Sequence, residues 1–416
     1  MIRERVSIKE KKTGLTITGG KISAVLKSNI QETGLRLYDQ GVLGIAGAIG
    51  SYDEEKLYQK AKHMLNFKLP YEAAPAADIC RSEDLSNTCD LTETQFVEKA
   101  RELLYMLSQK YPAFTFSNKI NLRESESSLV NDVGANLIAR DRHVSLELVI
   151  KYRESNSVLD GFGIMLTRDF NFEQVLKTVA WSCEHYCNKV DFSETEEEIP
   201  VLLLESPEIF LAKFFTDLRG DVYGSGASLF SGKMGEKLFD ERFSLIVNRD
   251  PEKTYLDFFD GEGTSLLGDR FSLIENGVLK APYTSKRMAK QYNLPVTGSA
   301  SLQYDAVPDA TPGALAVAES GKTRKELLGG RKVIYAMMAS GGDFTPQGEY
   351  ASPIQVAYLF QGETCLGRLP QLSMRSHVYD MFGKDFIGLS SDGNYPDSPF
   401  HYLAVDMKVK KIDNWL

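Results

Sequence analysis

Cysteine and histidine are scarce, five of each in 416 residues. Five cysteines in a chain of this length do not form a disulfide framework, so a reducing, cytoplasmic location is expected. The histidines are His63, His143, His185, His377 and His401; none is followed by Glu, and no two lie three, four or five apart. A zinc hydrolase of the His-Glu-x-x-His kind needs two histidines on one helical face, so that motif is excluded. Long apolar runs are absent as well. "VLGIAGAIG" falls far short of a membrane span, and the opening "MIRERVSIKEKK" lacks the apolar core of a signal peptide. No membrane partner is expected. Positive charge is in deficit, with a net charge of -9 and a pI near 5.3. A phosphate backbone needs clustered Lys and Arg, so direct nucleic-acid contact is not expected, and Lys286, Arg287 and Lys290 form only a local basic patch.

What is present is ordinary globular material, 43% hydrophobic and 25% charged, enough for about two or three domains at roughly 150 residues each. Strand signals dominate the first part. "GLTITGGKISAVLKS" reads as a hairpin about Gly19-Gly20, and "TGLRLYDQ" and "VLGIAGAI" continue the sheet. Asp53–Phe67 has helical spacing, and Leu69–Ala77 has the composition of a linker. "LTETQFVEKARELLYMLSQKYP" predicts a helix capped by Thr92 or Thr94 and ended by Pro112. A second block of alternating strands precedes another helix, "FEQVLKTVAWSCEHYCNKV". Residues 1–190 thus run twice from strands into a helix, a hint of internal duplication.

The acidic run Asp191–Pro200 reads as a solvated linker and marks the expected boundary. The prediction is an N-terminal α+β domain over 1–190 and a strand-rich, largely antiparallel domain over 191–416, an α+β fold overall. The second part opens with the strand "VLLLE" and the helix "SPEIFLAKFFTDLRGD". Ser206 is its expected cap, Pro207 its first residue, and Ile209, Phe210, Phe214, Phe215 and Leu218 its apolar face. Its only carboxylates are Glu208 and Asp217. Further on, Asn276-Gly277 signals a type I′ hairpin, "SKRMAKQYN" a short helix, and the last hundred residues more strands.

Few motifs carry chemistry. Cys183 and Cys187 of "CEHYC" are i and i+4 on the predicted helix and could meet one ion, but structural zinc wants four ligands and the other cysteines are distant in sequence, so apolar thiols on a helix face are the favoured reading. "GASLFSGKM" departs from a P-loop: the glycine spacing is one residue too long, and Met234 stands where Ser or Thr would hold magnesium. "GSGAS" is not the G-x-S-x-G elbow. "DFFDGEGTSLLGDRF" gathers Asp257, Asp260, Glu262 and Asp269, either a polar turn between strands, a calcium site or a carboxylate pair for acid–base work.

The order of the Phe259–Gly263 turn (F-D-x-E-G), the Ile274–Leu279 hairpin, the segment from Thr284-Ser285 to Gly298 and the Gly342–Thr345 turn carries a resemblance. Residues 195–416 resemble the TldD/PmbA family, also called the modulator-of-gyrase family. The resemblance implies a choice between two kinds of member. TldD-type chains carry His-Glu-x-x-x-His on a helix just before a Gly-Asp dipeptide, with a Cys near the C-terminus as a further zinc ligand. TldE-type chains lack these and pair with a TldD-type chain as a metalloprotease. Counting back from Gly220-Asp221, the His positions fall on Leu211 and Thr216 and the Glu on Ala212, and the C-terminal segment has no Cys. The chain is therefore similar to the TldE type. The implied expectations are no catalytic residue and no metal in this chain, zinc in a TldD-like partner, and a peptide substrate. Asp221, Ser231, Gly232, Lys233, Asp260, Gly261, Glu262 and Gly263 are the expected lining of a shared cavity. Two other readings stand beside this one. One is a self-contained hydrolase on converging Asp221, Asp260, Glu262, His377 and His401. The other is a homodimeric peptide-binding scaffold. The segment "GNYPDSPFH" and the shortness of the region before the final strands depart from the family pattern.

Overall fold

The computed structural model describes residues 1–193, 195–204, 207–396 and 398–412. Gly19 and Gly20 take positive φ, 60° and 80°, and the chain reverses there between β1 (Ile2–Thr18) and β2 (Lys21–Asp39). Only glycine adopts two such conformations in succession without steric cost. β2 runs on through "TGLRLYDQ" as one strand and pairs with β3 (Val42–Ile49). α1 (Glu54–Met64) packs on β3. Its cap is Asp53, whose carboxylate accepts the Lys56 N–H at 3.1 Å.

β4 (Ile79–Leu85) leads to α2 (Glu93–Lys110), which is capped by Thr92. Thr92 and Gln95 bond each other's backbone in a capping box. β5 (Phe114–Asn131), β6 (Ala135–Tyr152) and β7 (Gly161–Thr167) follow. The sheet order is β3-β2-β1-β5-β6-β4, antiparallel except that β4 runs parallel to β6; β7 pairs with β6 beyond the end of β4. α3 (Phe172–His185) ends earlier than predicted. Cys187 therefore lies past the helix, exposed, while Cys183 is buried, and the expected i and i+4 placement on one helix does not occur.

β8 (Glu197–Leu204) opens a nine-stranded sheet. It lies between the antiparallel strand His401–Lys411 and the parallel strand Lys332–Met338. A smaller four-stranded sheet carries the type I′ turn, with Asn276 and Gly277 both at positive φ. The helix expected over 206–221 is three short pieces: α4 (Pro207–Phe210), α5 (Ala212–Asp217) and α6 (Gly220–Gly224). The Ser206 cap lies outside the described residues. The break at Leu218-Arg219 has a tertiary cause. Leu218 O accepts the Tyr283 N–H at 2.8 Å, and Gly220 N–H donates to Tyr283 O at 3.0 Å. The backbone groups that would continue the helix are taken by another segment. The apolar face survives, with Phe210, Phe214 and Leu218 buried, and Phe214 packed on Phe382 and Phe230. Among the described residues no helix is long and apolar enough to cross a membrane.

Candidate functional site

Leu211, the N-cap of α5, and Thr216 within it are the residues that fall on the ligand positions the resemblance implies. Leu211 is in the core, 1% exposed. Thr216 faces solvent, and its hydroxyl donates to Ala212 O at 3.2 Å. An alkyl side chain in the core has no donor for a metal, so these positions do not fit zinc. The buried polar residues of this helix are instead Lys213 and Asp217, one turn apart. Lys213 Nζ lies 3.0 Å from Asp217 Oδ1 and donates to Pro346 O at 3.0 Å. Asp217 Oδ2 accepts the Leu229 N–H at 2.7 Å. The pair ties α5 to the loop at 229 and the turn at 346. Its i, i+4 spacing was visible in the sequence, but its burial was not.

Ser231, Gly232 and Lys233 lie on that loop. Ser231 donates to Tyr223 O at 2.9 Å, and Gly232 sits at φ 76°. Lys233 Nζ donates to the Tyr379 hydroxyl at 2.7 Å, and Tyr379 stacks on His377. His377 Nδ1 accepts the Tyr379 N–H at 3.2 Å, which leaves Nε2 to donate to Gln347 O at 3.0 Å. His377 lines a cleft of about 310 Å³ with Glu349, Arg375, Asp380, Asp385 and Lys408. Burial pushes the Asp385 carboxyl above its ordinary value, and Lys384 opposes that. The cleft thus offers both signs of charge.

The Phe259–Gly263 turn lies elsewhere, in a seam between the first sheet and the rest of the molecule. Asp260 is fully buried and accepts three backbone N–H groups, from Glu262 at 2.9 Å, Thr264 at 2.8 Å and Ala300 at 2.9 Å. Glu262 accepts the Tyr71 hydroxyl and the Lys286 N–H. Burial, then the nearby Asp260 charge, pushes the Glu262 carboxyl up to about 7. A Cβ on Gly261 would stand 1.8 Å from Ser301 O, so only glycine fits there. Gly261 O accepts Arg36 Nη1 at 2.5 Å, and Gln303 O accepts Arg36 Nη2 at 3.1 Å. Arg36 is itself fully buried and pairs with Glu4 at 3.2 Å, which also accepts the Tyr38 hydroxyl at 2.8 Å and the Asn131 amide at 3.1 Å. Gly263, at φ 69°, packs against Ala76 and Leu129.

The expected lining residues therefore occupy three places. Ser231–Lys233 adjoin the cleft, Asp260–Gly263 are in the seam, and Asp221 is held by Arg219 at 2.9 Å, with Arg219 also pairing Asp309. The five residues of the self-contained hydrolase are likewise held by different partners. Asp260 and Glu262 interact, whereas His377 bonds at 347 and His401 bonds Ser390 O and Ser398 O. Among the described residues, no three or more of His, Cys, Asp and Glu are grouped to hold a metal. Glu4, Arg36 and Tyr71 were missed from the sequence. Tyr71 falls in the stretch read as a linker, and Arg36 alternates with leucines as any half-solvated strand residue would.

Residues 197–410, just over half of the chain, match the family model for the PmbA/TldA metallopeptidase C-terminal domain. The chain belongs to the TldD/PmbA family. An uncharacterized protein of Methanocaldococcus jannaschii is 22% identical over 368 residues, covering 86% of this chain and 84% of the relative. Among solved structures, TldE from Thermococcus kodakarensis is similar in fold, with TM-score 0.80 and 16% identity over 98% of this chain and 96% of that one. A candidate modulator of a DNA gyrase from Thermotoga maritima superposes with the same TM-score, identity and coverage.

Proposed function

We propose that this chain is a non-catalytic, TldE-type subunit. It pairs with a zinc-bearing TldD-like chain and helps present extended peptides for cleavage. The observation that carries the reading is the content of α5. Leu211 and Thr216 stand at the ligand positions, one in the core and one facing water, and the buried Lys213–Asp217 pair fills the inner face. A peptide that arrives in extended form can add to a sheet edge through its backbone, without regard to sequence. The mixed charges of the His377 cleft suit peptide termini and side chains of either sign.

The test is zinc per chain by mass spectrometry on tag-free protein, together with peptidase assays with and without the TldD-like chain. The expected result is near-zero zinc in this chain alone, a complex on gel filtration, and hydrolysis only by the mixture. Close to one zinc per chain, with hydrolysis by this chain alone, would overturn the reading.

A further inference from the structure

β3 forms one end of the first sheet. On its outer side the Leu43 N–H donates to Leu69 O at 3.0 Å, while on the β2 side the Gly50 N–H donates to Gln31 O at 2.7 Å. With a period of two, Ile45, Gly47 and Ile49 turn their N–H and C=O groups outward with Leu43. Beyond the isolated bridge of Val42 to Pro70, no strand pairs with this edge among the described residues. The open lane over residues 45–49 is about 17 Å long at ~3.4 Å per residue. A row of free backbone groups is a template for another strand, and soluble proteins usually blunt such edges. Here Ile49 is 61% exposed, and beside the lane Met64 is 41% and Phe67 67% exposed. A groove of about 510 Å³ lies between residues 45–47 of the strand and Gln59, Lys60, His63 and Met64 of α1.

The two faces of this lane differ in charge. α1 covers the face of Ala46, which shares a core with Leu57 and Ala61. The acids of that helix are engaged: Glu54 by Arg3 and Arg5, Glu55 by the Gln59 amide at 2.6 Å, and Asp53 as the cap. Lys60 and His63 form no ion pair or hydrogen bond among the described residues, so the groove wall keeps a free cation and a free imidazole. The opposite face, to which Ile45 and Ile49 point, is bordered by acid. A Cβ on Gly47 would stand 2.5 Å from Cβ of Asp305, which is exposed.

We propose that this edge docks an extended peptide segment in which acidic residues alternate with apolar ones. The segment adds antiparallel to β3, as residues 69–70 do at the lower end of the same edge. Directly opposed residues share a face of the sheet. Peptide residues opposite Ala46 and Ala48 therefore turn toward Lys60 and His63, where a carboxylate is favoured. Those opposite Ile45, Gly47 and Ile49 exchange backbone hydrogen bonds with β3. Their side chains lie on the Ile49 and Asp305 side, where an apolar group is favoured and an acid is repelled. The site shares no residue with α5 or the His377 cleft. It needs neither a partner chain nor zinc, so it stands or falls separately from the peptidase-subunit reading.

The test is isothermal titration calorimetry of the full chain with the peptide acetyl-Val-Glu-Val-Glu-Val-Glu-Val-amide, at low and high salt. One peptide per chain is expected, bound more weakly at high salt, with no binding of the same peptide carrying Lys in place of Glu. Lys60→Glu combined with His63→Glu changes two exposed helix positions. It is expected to weaken the Glu peptide about tenfold and to let the Lys peptide bind, with circular dichroism and thermal unfolding unchanged. N-methylation of one interior Val of the peptide, whose N–H faces β3, is expected to cost about tenfold. N-methylation of an interior Glu, whose N–H faces away, is expected to cost little. Absence of binding by the wild type overturns the proposal, whether the edge stays bare or a second copy covers it. So do equal affinities for the Glu and Lys peptides, indifference to the double substitution, or equal effects of the two N-methylations.

Discussion

Glu262 should make this protein less stable as the pH rises from acid to neutral. Its carboxyl titrates near 7 in the folded chain against an ordinary 4.5, because burial and the Asp260 charge both disfavour ionisation. Below pH 4.5 it is protonated folded and unfolded, and it contributes no difference. Between 4.5 and 7 the unfolded chain releases the proton and the folded chain holds it, so stability is lost with rising pH. The interval between 4.5 and 7, at about 1.4 kcal/mol per pH unit, amounts to about 3 kcal/mol. Glu262→Gln keeps the shape, stays neutral, and can still meet the Tyr71 hydroxyl and the Lys286 N–H. Urea unfolding of both proteins, followed by circular dichroism and fluorescence from pH 4 to pH 8, reads the difference directly; coincident curves justify the free-energy comparison. The wild type should fall by about 3 kcal/mol relative to Glu262→Gln across that range, with most of the change before pH 7. A difference that stays flat, or that favours the wild type as pH rises, would refute the claim that burial and the Asp260 charge hold the Glu262 carboxyl neutral in the seam.

Two further substitutions test the buried pairs. Arg36→Met leaves the Glu4 carboxylate buried with only its Tyr38 and Asn131 donors, and it strips Gly261 O and Gln303 O of theirs. It should cost about 3–5 kcal/mol in urea unfolding. Adding Glu4→Gln should restore part of that, and strictly additive losses would count against a coupled pair. Lys213→Met should cost about 3 kcal/mol by stranding the Asp217 carboxylate. It should also speed hydrogen exchange at the Leu229 amide; unchanged exchange there would show that the pair does not hold that loop.

The two turns that were legible were legible because one or two residues decide them. Gly19-Gly20 and Asn276-Gly277 reverse the chain where the backbone must take positive φ. The caps at Asp53 and Thr92 needed only a side-chain oxygen three residues from a free N–H. The second part was recognisable as a TldD/PmbA domain because its motifs are local turns in a fixed order, and the absence of ligand residues at 211 and 216 could be counted. The single helix expected over 206–221 was wrong because Tyr283, far along the chain, captures the backbone at Leu218 and Gly220. The same limit applied to the acidic turn. "DGEG" reads as a polar turn between strands, and its burial shows only when Arg36, 225 residues earlier, is seen donating to Gly261. Sequence by itself determined the turns, the caps, the family and the identity of residues 211 and 216, all of which depend on residue identity and near neighbours. Tertiary structure alone decided which carboxylates are buried and where the helix breaks. Desolvation and backbone pairing are set by what the fold places alongside, not by the residue or its neighbours in the chain.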